Sequence, residues 1–169
     1  MRTMLKAAER GLVAGTIATL AMTAVIVAGR LVGLLSTIPP REITRRAEIA
    51  TGIRRDISSD EFQLSWILAH LGYGTAAGAG LAAIRGRLPR SPIVAGLLYG
   101  VALWAFGYLG IMPALGLYPW PEDDSRTRLA TMIVAHGVYG ITAAEVIRVM
   151  TREEHPSTNQ GSVTPARST

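Results

Sequence analysis

The sequence predicts an all-α fold: a four-helix transmembrane bundle of two parallel-repeat helical hairpins, with a short amphipathic surface helix after the first span. Three observations predict it. Four apolar runs are each long enough to cross about 30 Å of hydrocarbon. The hexapeptide Ala69-His70-Leu71-Gly72-Tyr73-Gly74 recurs as Ala135-His136-Gly137-Val138-Tyr139-Gly140. Aligning Val13-Ala14-Gly15 with Val94-Ala95-Gly96 also pairs Ala21 with Ala102, Ala24 with Ala105, Gly29 with Gly110, Leu34 with Leu115 and Pro40 with Pro121.

Span one covers about residues 11–35. Gly11 to Gly29 carries no charge, Arg2, Lys6 and Arg10 precede it, and Arg30 follows it and can snorkel to the interface. A basic start followed by an apolar stretch also fits a cleavable signal peptide, but a removable peptide has no reason to match an internal span. Between Pro40 and Phe62, Ile43, Ala47 and Ala50 share one helical face, with Arg41, Arg45 and Glu48 on the other. This reads as a helix lying on the membrane surface that breaks near Gly52, because Arg54 would otherwise fall on the apolar side.

Span two, about 62–84, opens with Ser58 and Glu61 in a capping box and closes at Arg85, Arg87 and Arg90. Span three covers about 92–112, with Pro113 bending or ending it. Span four, about 129–147, follows the acidic Glu122, Asp123 and Asp124. Residues 1–150 thus form one transmembrane domain, and residues 151–169 read as a disordered polar tail. His155 lies in that tail and carries no evident role.

Hydrophobic residues make up 49% of the chain, mean hydropathy is +0.30, and the net charge of +5 comes almost entirely from Arg. The bases flank the apolar runs and do not interleave with aromatics, so they read as topology charges and not as a nucleic-acid surface. With no cysteine there is no thiolate site or disulfide. Each half has an even number of spans, so both halves cross in the same sense. With both termini cytoplasmic the inner segments hold nine bases and the outer eight. The purely basic 85–90 loop favours that orientation.

On a helix, His70, Tyr73 and Gly74 form one face, as do His136, Tyr139 and Gly140, and such faces are expected to look into the bundle. Both rings lie about 11 to 12 Å inside their spans at about 1.5 Å per residue. The candidate intramembrane polar site is therefore His70, Tyr73, His136, Tyr139 and Glu145. Glu145 also has Arg148 three residues on, the spacing of an ion pair. Close helix packing is expected from small-residue ridges at Gly11 and Gly15, Gly74 and Gly78, Gly96 and Gly100, Gly140, and Gly29 with Gly33. Tyr118 and Trp120 read as interfacial anchors.

Three readings of the histidines stay open. In the first they only fix helix register, and the chain is a structural or interaction component that uses its ridges to bind itself or another membrane protein. In the second they line a wet cavity of a proton-linked transporter or channel subunit, across a homodimer. In the third they are axial ligands of a haem. Two histidines with a distant Glu145 lack a third ligand for zinc, and no soluble-enzyme signature is present, so neither a catalytic residue, a metal nor a resident cofactor is expected.

The Gly-Leu-Val-Ala-Gly start, the Pro39-Pro40-Arg41 exit and the run from His136 to Glu145-Val146-Ile147-Arg148 resemble small bacterial inner-membrane proteins of the YagU-like type, most clearly over spans three and four. The resemblance implies a multi-pass protein of the bacterial inner membrane and adds no catalytic assignment.

Overall fold

A computed structural model describes residues 2–154. Among these residues there is no strand. The long helices are α1 (Arg2–Leu31), α3 (Ser59–Ile84), α4 (Pro92–Phe106) and α6 (Arg126–Glu154). Helix α2 (Pro39–Thr51) follows α1, and α4 runs on through a π turn (Gly107–Ile111) into the single turn α5 (Met112–Ala114). Four helices are long and apolar enough to cross a membrane. Their outer faces carry bare Leu12, Ile17 and Leu20 on α1, Leu64 and Leu68 on α3, and Leu97 and Leu98 on α4. Such exposed aliphatic side chains along α1, α3 and α4 are stable in lipid and not in water, so the chain is a multi-pass membrane protein.

The glycine ridges hold the bundle together from inside. A Cβ on Gly15 would strike the carbonyls of Gly74 and Thr75, and one on Gly78 would strike Gly11 and Gly15. A Cβ on Gly96 would strike Gly140, and one on Gly100 the carbonyl of His136. Thus α1 meets α3, and α4 meets α6, backbone to backbone. The pairs Gly15–Gly74 and Gly96–Gly140 stand at matching positions of the two halves. Helix α1 also packs along α6, through a core that includes Met22, Ile26, Met132, Ala135 and Tyr139. In order of contact the helices run α3, α1, α6, α4.

Local chemistry sets the ends. Gly33 adopts φ +80 just after α1, and Leu34 N–H reaches back to the Gly29 carbonyl at 2.8 Å, a Schellman stop. The first helix therefore ends at Leu31 and not near residue 35. Gly33 has nothing beside it, so the expected Gly29–Gly33 ridge does not form. The Ser58–Glu61 capping box is present, with Ser58 N–H donating to Glu61 Oε2 at 2.7 Å. Pro113 cannot donate to residue 109 and would clash with its carbonyl. The chain absorbs this one turn earlier, where Met112 N–H bonds to Gly107 across the π turn. Thr151 to Glu154 remain helical. The hydroxyl of Thr151 accepts from Arg10 at 3.3 Å, which ties the end of α6 to the start of α1. The rest of the expected tail, His155 included, lies outside the described residues.

Helix α2 ends where expected, at Gly52 with φ +82. Its polar face differs from expectation, because Glu48 is 8% exposed and accepts a hydrogen bond from Ser65 on α3. Arg41 and Arg54 lie over the Phe62 ring at 5.2 and 4.8 Å. These contacts dock α2 on the start of α3. Outside the membrane, the Arg45 guanidinium hydrogen-bonded to Glu42 holds that carboxyl at about 2.

Two outcomes are expected. Gly96→Ala or Gly140→Ala should destabilise the bundle by about 2 kcal/mol or more through overpacking. Gly72→Ala, at a helical position with open space beside it, should be neutral or add up to about 1 kcal/mol. Unfolding in mixed micelles separates the two. Because the folded pKa of Glu42 lies below its ordinary value, its hold on α2 is complete above pH 4.5 and is lost as pH falls through about 2. The pair is partly exposed, so the effect is at most about 1 kcal/mol, readable as faster hydrogen exchange in α2 amides.

Candidate intramembrane cavity

The chain α3, α1, α6, α4 leaves its two end helices facing each other with little contact. Their polar link is the Tyr99 hydroxyl, which donates to the Ala77 carbonyl at 2.6 Å, at the end nearer the 85–90 loop. Above that link the helices stand apart around a cavity of about 260 Å³. Thr19 and Met22 of α1 with Met132, His136 and Tyr139 of α6 form its floor. His70 and Tyr73 of α3 stand opposite Leu103 and Trp104 of α4, while Pro39, Pro40, Ile43 and Thr44 of α2 roof it. Of the lining residues only Ala69 and Tyr73, both on α3, are exposed, so the mouth of the cavity opens toward lipid beside the α3 wall.

Both copies of the hexapeptide reach this cavity, but their partners differ. Tyr139 is 1% exposed and donates to the Gly74 carbonyl at 2.6 Å. Its counterpart Tyr73 is 49% exposed and stands at the mouth, not inside the bundle as the helical face had suggested. The difference follows from the packing order, in which α6 is central and α3 is terminal. His136 Nδ1 lies 2.8 Å from the Met132 carbonyl, so that nitrogen carries the proton and Nε2 keeps its lone pair. His70 Nε2 lies 3.2 Å from the Thr23 hydroxyl. Thr23 gives its own hydrogen to the Thr19 carbonyl at 2.7 Å and must accept from His70, so His70 Nδ1 is the bare nitrogen.

The α4 side is aromatic. Trp104 stacks on Tyr108 with ring centroids 5.4 Å apart and an interplanar angle of 20°, and Tyr108 lies 5.6 Å from Tyr118. The Tyr108 hydroxyl donates to Asp124. Asp124 also pairs with Arg128 at 2.9 Å, and Arg128 donates to Ser36 at 3.1 Å. Trp104 Nε1 and the Tyr118 hydroxyl are buried without a hydrogen bond. Burial pushes the Tyr118 phenol above its ordinary range, with the Arg128 guanidinium beside it opposing that rise.

Glu145 does not join the cavity. It pairs with Arg148 at 2.6 Å, the ion pair its spacing predicted. Tyr118 is 5% exposed and lines the cavity, whereas Trp120 is half-exposed; only the second fits the reading as an interfacial anchor. Trp104, Tyr108 and the α2 roof were missed as site residues. A tryptophan in mid-span, away from the interfaces where such rings collect, was the available signal for the first. Among the described residues no three His, Asp or Glu side chains gather as a metal site.

Tyr139→Phe should cost about 1 kcal/mol, since the Gly74 carbonyl loses its phenol partner in the membrane core. Tyr73→Phe should leave unfolding unchanged in the same assay.

No curated protein and no solved structure matches the chain. Residues 5–158 match one family, and the match carries no link to the YagU-like proteins. By that match the chain belongs to the Family of unknown function (DUF6789).

Proposed function

We propose that this membrane protein binds a small, neutral, largely apolar molecule that enters sideways from the bilayer. One observation carries the reading: both hexapeptide copies converge on one cavity whose walls, α3 and α4, are held apart. The volume of about 260 Å³ falls just below the usual range of small-molecule sites. Among the described residues no charged side chain lines it, which suits a neutral guest. The matched glycine contacts of the two halves support a duplicated hairpin. The basic 85–90 loop, where Arg85 binds the carbonyls of Pro89 and Arg90, supports a bacterial inner-membrane protein with cytoplasmic termini.

Self-association through the glycine ridges has less support, because those ridges are occupied within the chain. Proton-linked transport draws on the two histidines, but below Tyr139 the helices meet backbone to backbone. Haem ligation has the least support, with His70 Nε2 directed at Thr23.

A small apolar diazirine photolabel tests the proposal in lipid nanodiscs. Labelling should concentrate on cavity residues such as Tyr73, His70 and Met112, and fall in Ala69→Trp, which fills the mouth from an exposed wall position. Labels confined to lipid-facing Leu64 and Leu98, with no response to Ala69→Trp, would overturn it.

A further inference from the structure

We propose that the molecule held in this cavity is a phenol or hydroquinone, recognised by two bare imidazole nitrogens that accept its hydroxyl hydrogens. This rests on the reading of the cavity as a binding site and adds the chemistry of its guest.

The polarity of the site follows from proton counting. The Met132 carbonyl can only accept, which leaves His136 with an unprotonated Nε2. The Thr23 hydroxyl has already given its hydrogen to Thr19, which leaves His70 with an unprotonated Nδ1. His136 cannot change tautomer without losing its bond to the Met132 carbonyl, and His70 cannot without Thr23 giving up its bond to the Thr19 carbonyl. A neutral guest therefore meets two acceptors set by backbone geometry, one on the α3 wall and one on the α6 floor. A carbonyl or ether oxygen has no hydrogen to offer them, whereas a hydroxyl has.

The remaining polar atoms are donors. Trp104 Nε1–H is donor-only and has no partner, and the Tyr118 hydroxyl is buried without one. The arginine beside Tyr118 is itself only a donor, so the phenol hydrogen stays free. Both atoms are closed off from the empty cavity, so they shape its wall and leave the imidazole nitrogens as its polar contacts. A phenolic oxygen gives its hydrogen to an imidazole, and a second hydroxyl on the same ring serves the other bare nitrogen.

The body of the guest is set by the aromatic side. The stacked Trp104 and Tyr108 rings favour a flat, rigid partner, which loses little conformational entropy on binding. The apolar mouth suits alkyl substituents that stay in the lipid. A carboxylate or phosphate would find no cation among the lining residues.

The test uses the full chain in nanodiscs under reducing conditions, by equilibrium dialysis against empty nanodiscs. Three probes are compared: trimethylhydroquinone, its dimethyl ether, and menthol, which has a hydroxyl but no aromatic ring. The hydroquinone should bind, with the ether and menthol each at least about tenfold weaker, because the ether loses both donated hydrogen bonds and menthol loses one of them together with the ring contact. His136→Phe removes one of the two acceptors, so it should weaken hydroquinone binding part of the way toward the level of the ether while leaving ether binding unchanged. Equal binding of hydroquinone and ether would overturn the imidazole-acceptor proposal and leave the lipid-phase binding site intact. Equal binding of menthol would overturn the aromatic requirement. If no probe binds above empty nanodiscs, both the proposal and the underlying site fail. Because the probe series is read on the unaltered chain, the outcome does not depend on whether His136→Phe folds.

Discussion

Backbone-to-backbone approach at glycine is the constraint on which this architecture depends. Lipid tails are as apolar as leucine, so spanning helices gain little from burying aliphatic side chains against one another and depend on close contact instead. Gly15 and Gly78 let α1 press onto α3, and Gly96, Gly100 and Gly140 do the same for α4 and α6. Each contact sits where a single methyl group would meet a carbonyl. The two hairpins are therefore rigid units, and the larger side chains of Met22, Ile26 and Met132 join them through α1 and α6.

The same tightness creates the open space. With α1 and α6 in the middle and α3 and α4 at the ends, the end helices touch mainly where Tyr99 reaches Ala77. Toward the other face of the membrane the π turn before Pro113 brings Tyr108 and Met112 to the cavity, and α2 covers it. The roof is itself held by groups that act on one another: Glu48 with Ser65, and two guanidinium groups over Phe62. Each of the two histidines that line the cavity directs its N–H at the helix framework and keeps one nitrogen bare.

Much of this was legible in the residues. The apolar lengths set the spans, Ser58 and Glu61 marked the start of α3, Gly52 marked the end of α2, and the ion pair of Glu145 with Arg148 followed from helical spacing. Errors arose wherever a side chain's neighbour lay on another helix. Tyr73 and Tyr139 occupy the same place in the same hexapeptide, yet one is at the mouth and the other is buried, because α3 ends the row of helices and α6 lies inside it. Glu48 was placed on the outer face of α2 by periodicity, but Ser65 draws it inward. Tyr118 follows the same pattern: its position after a span suggested the interface, and the Tyr108 ring and the Asp124–Arg128 pair enclose it.

The sequence by itself determined that this chain crosses a membrane four times, where α2 stops and α3 starts, and that most of its glycine ridges bring backbones together, Gly29 with Gly33 being the exception. Those properties depend on composition and on a periodicity of a few residues. Only the tertiary structure decided which ridge faces which, that the ridges are used within the chain, and that both histidines look into one shared cavity. The physical reason is that a helix specifies the direction of its own side chains but not the identity of its neighbour. Neighbour choice here emerged from the competition of several similar glycine faces and from the seating of α2, and neither is encoded within a single turn of helix.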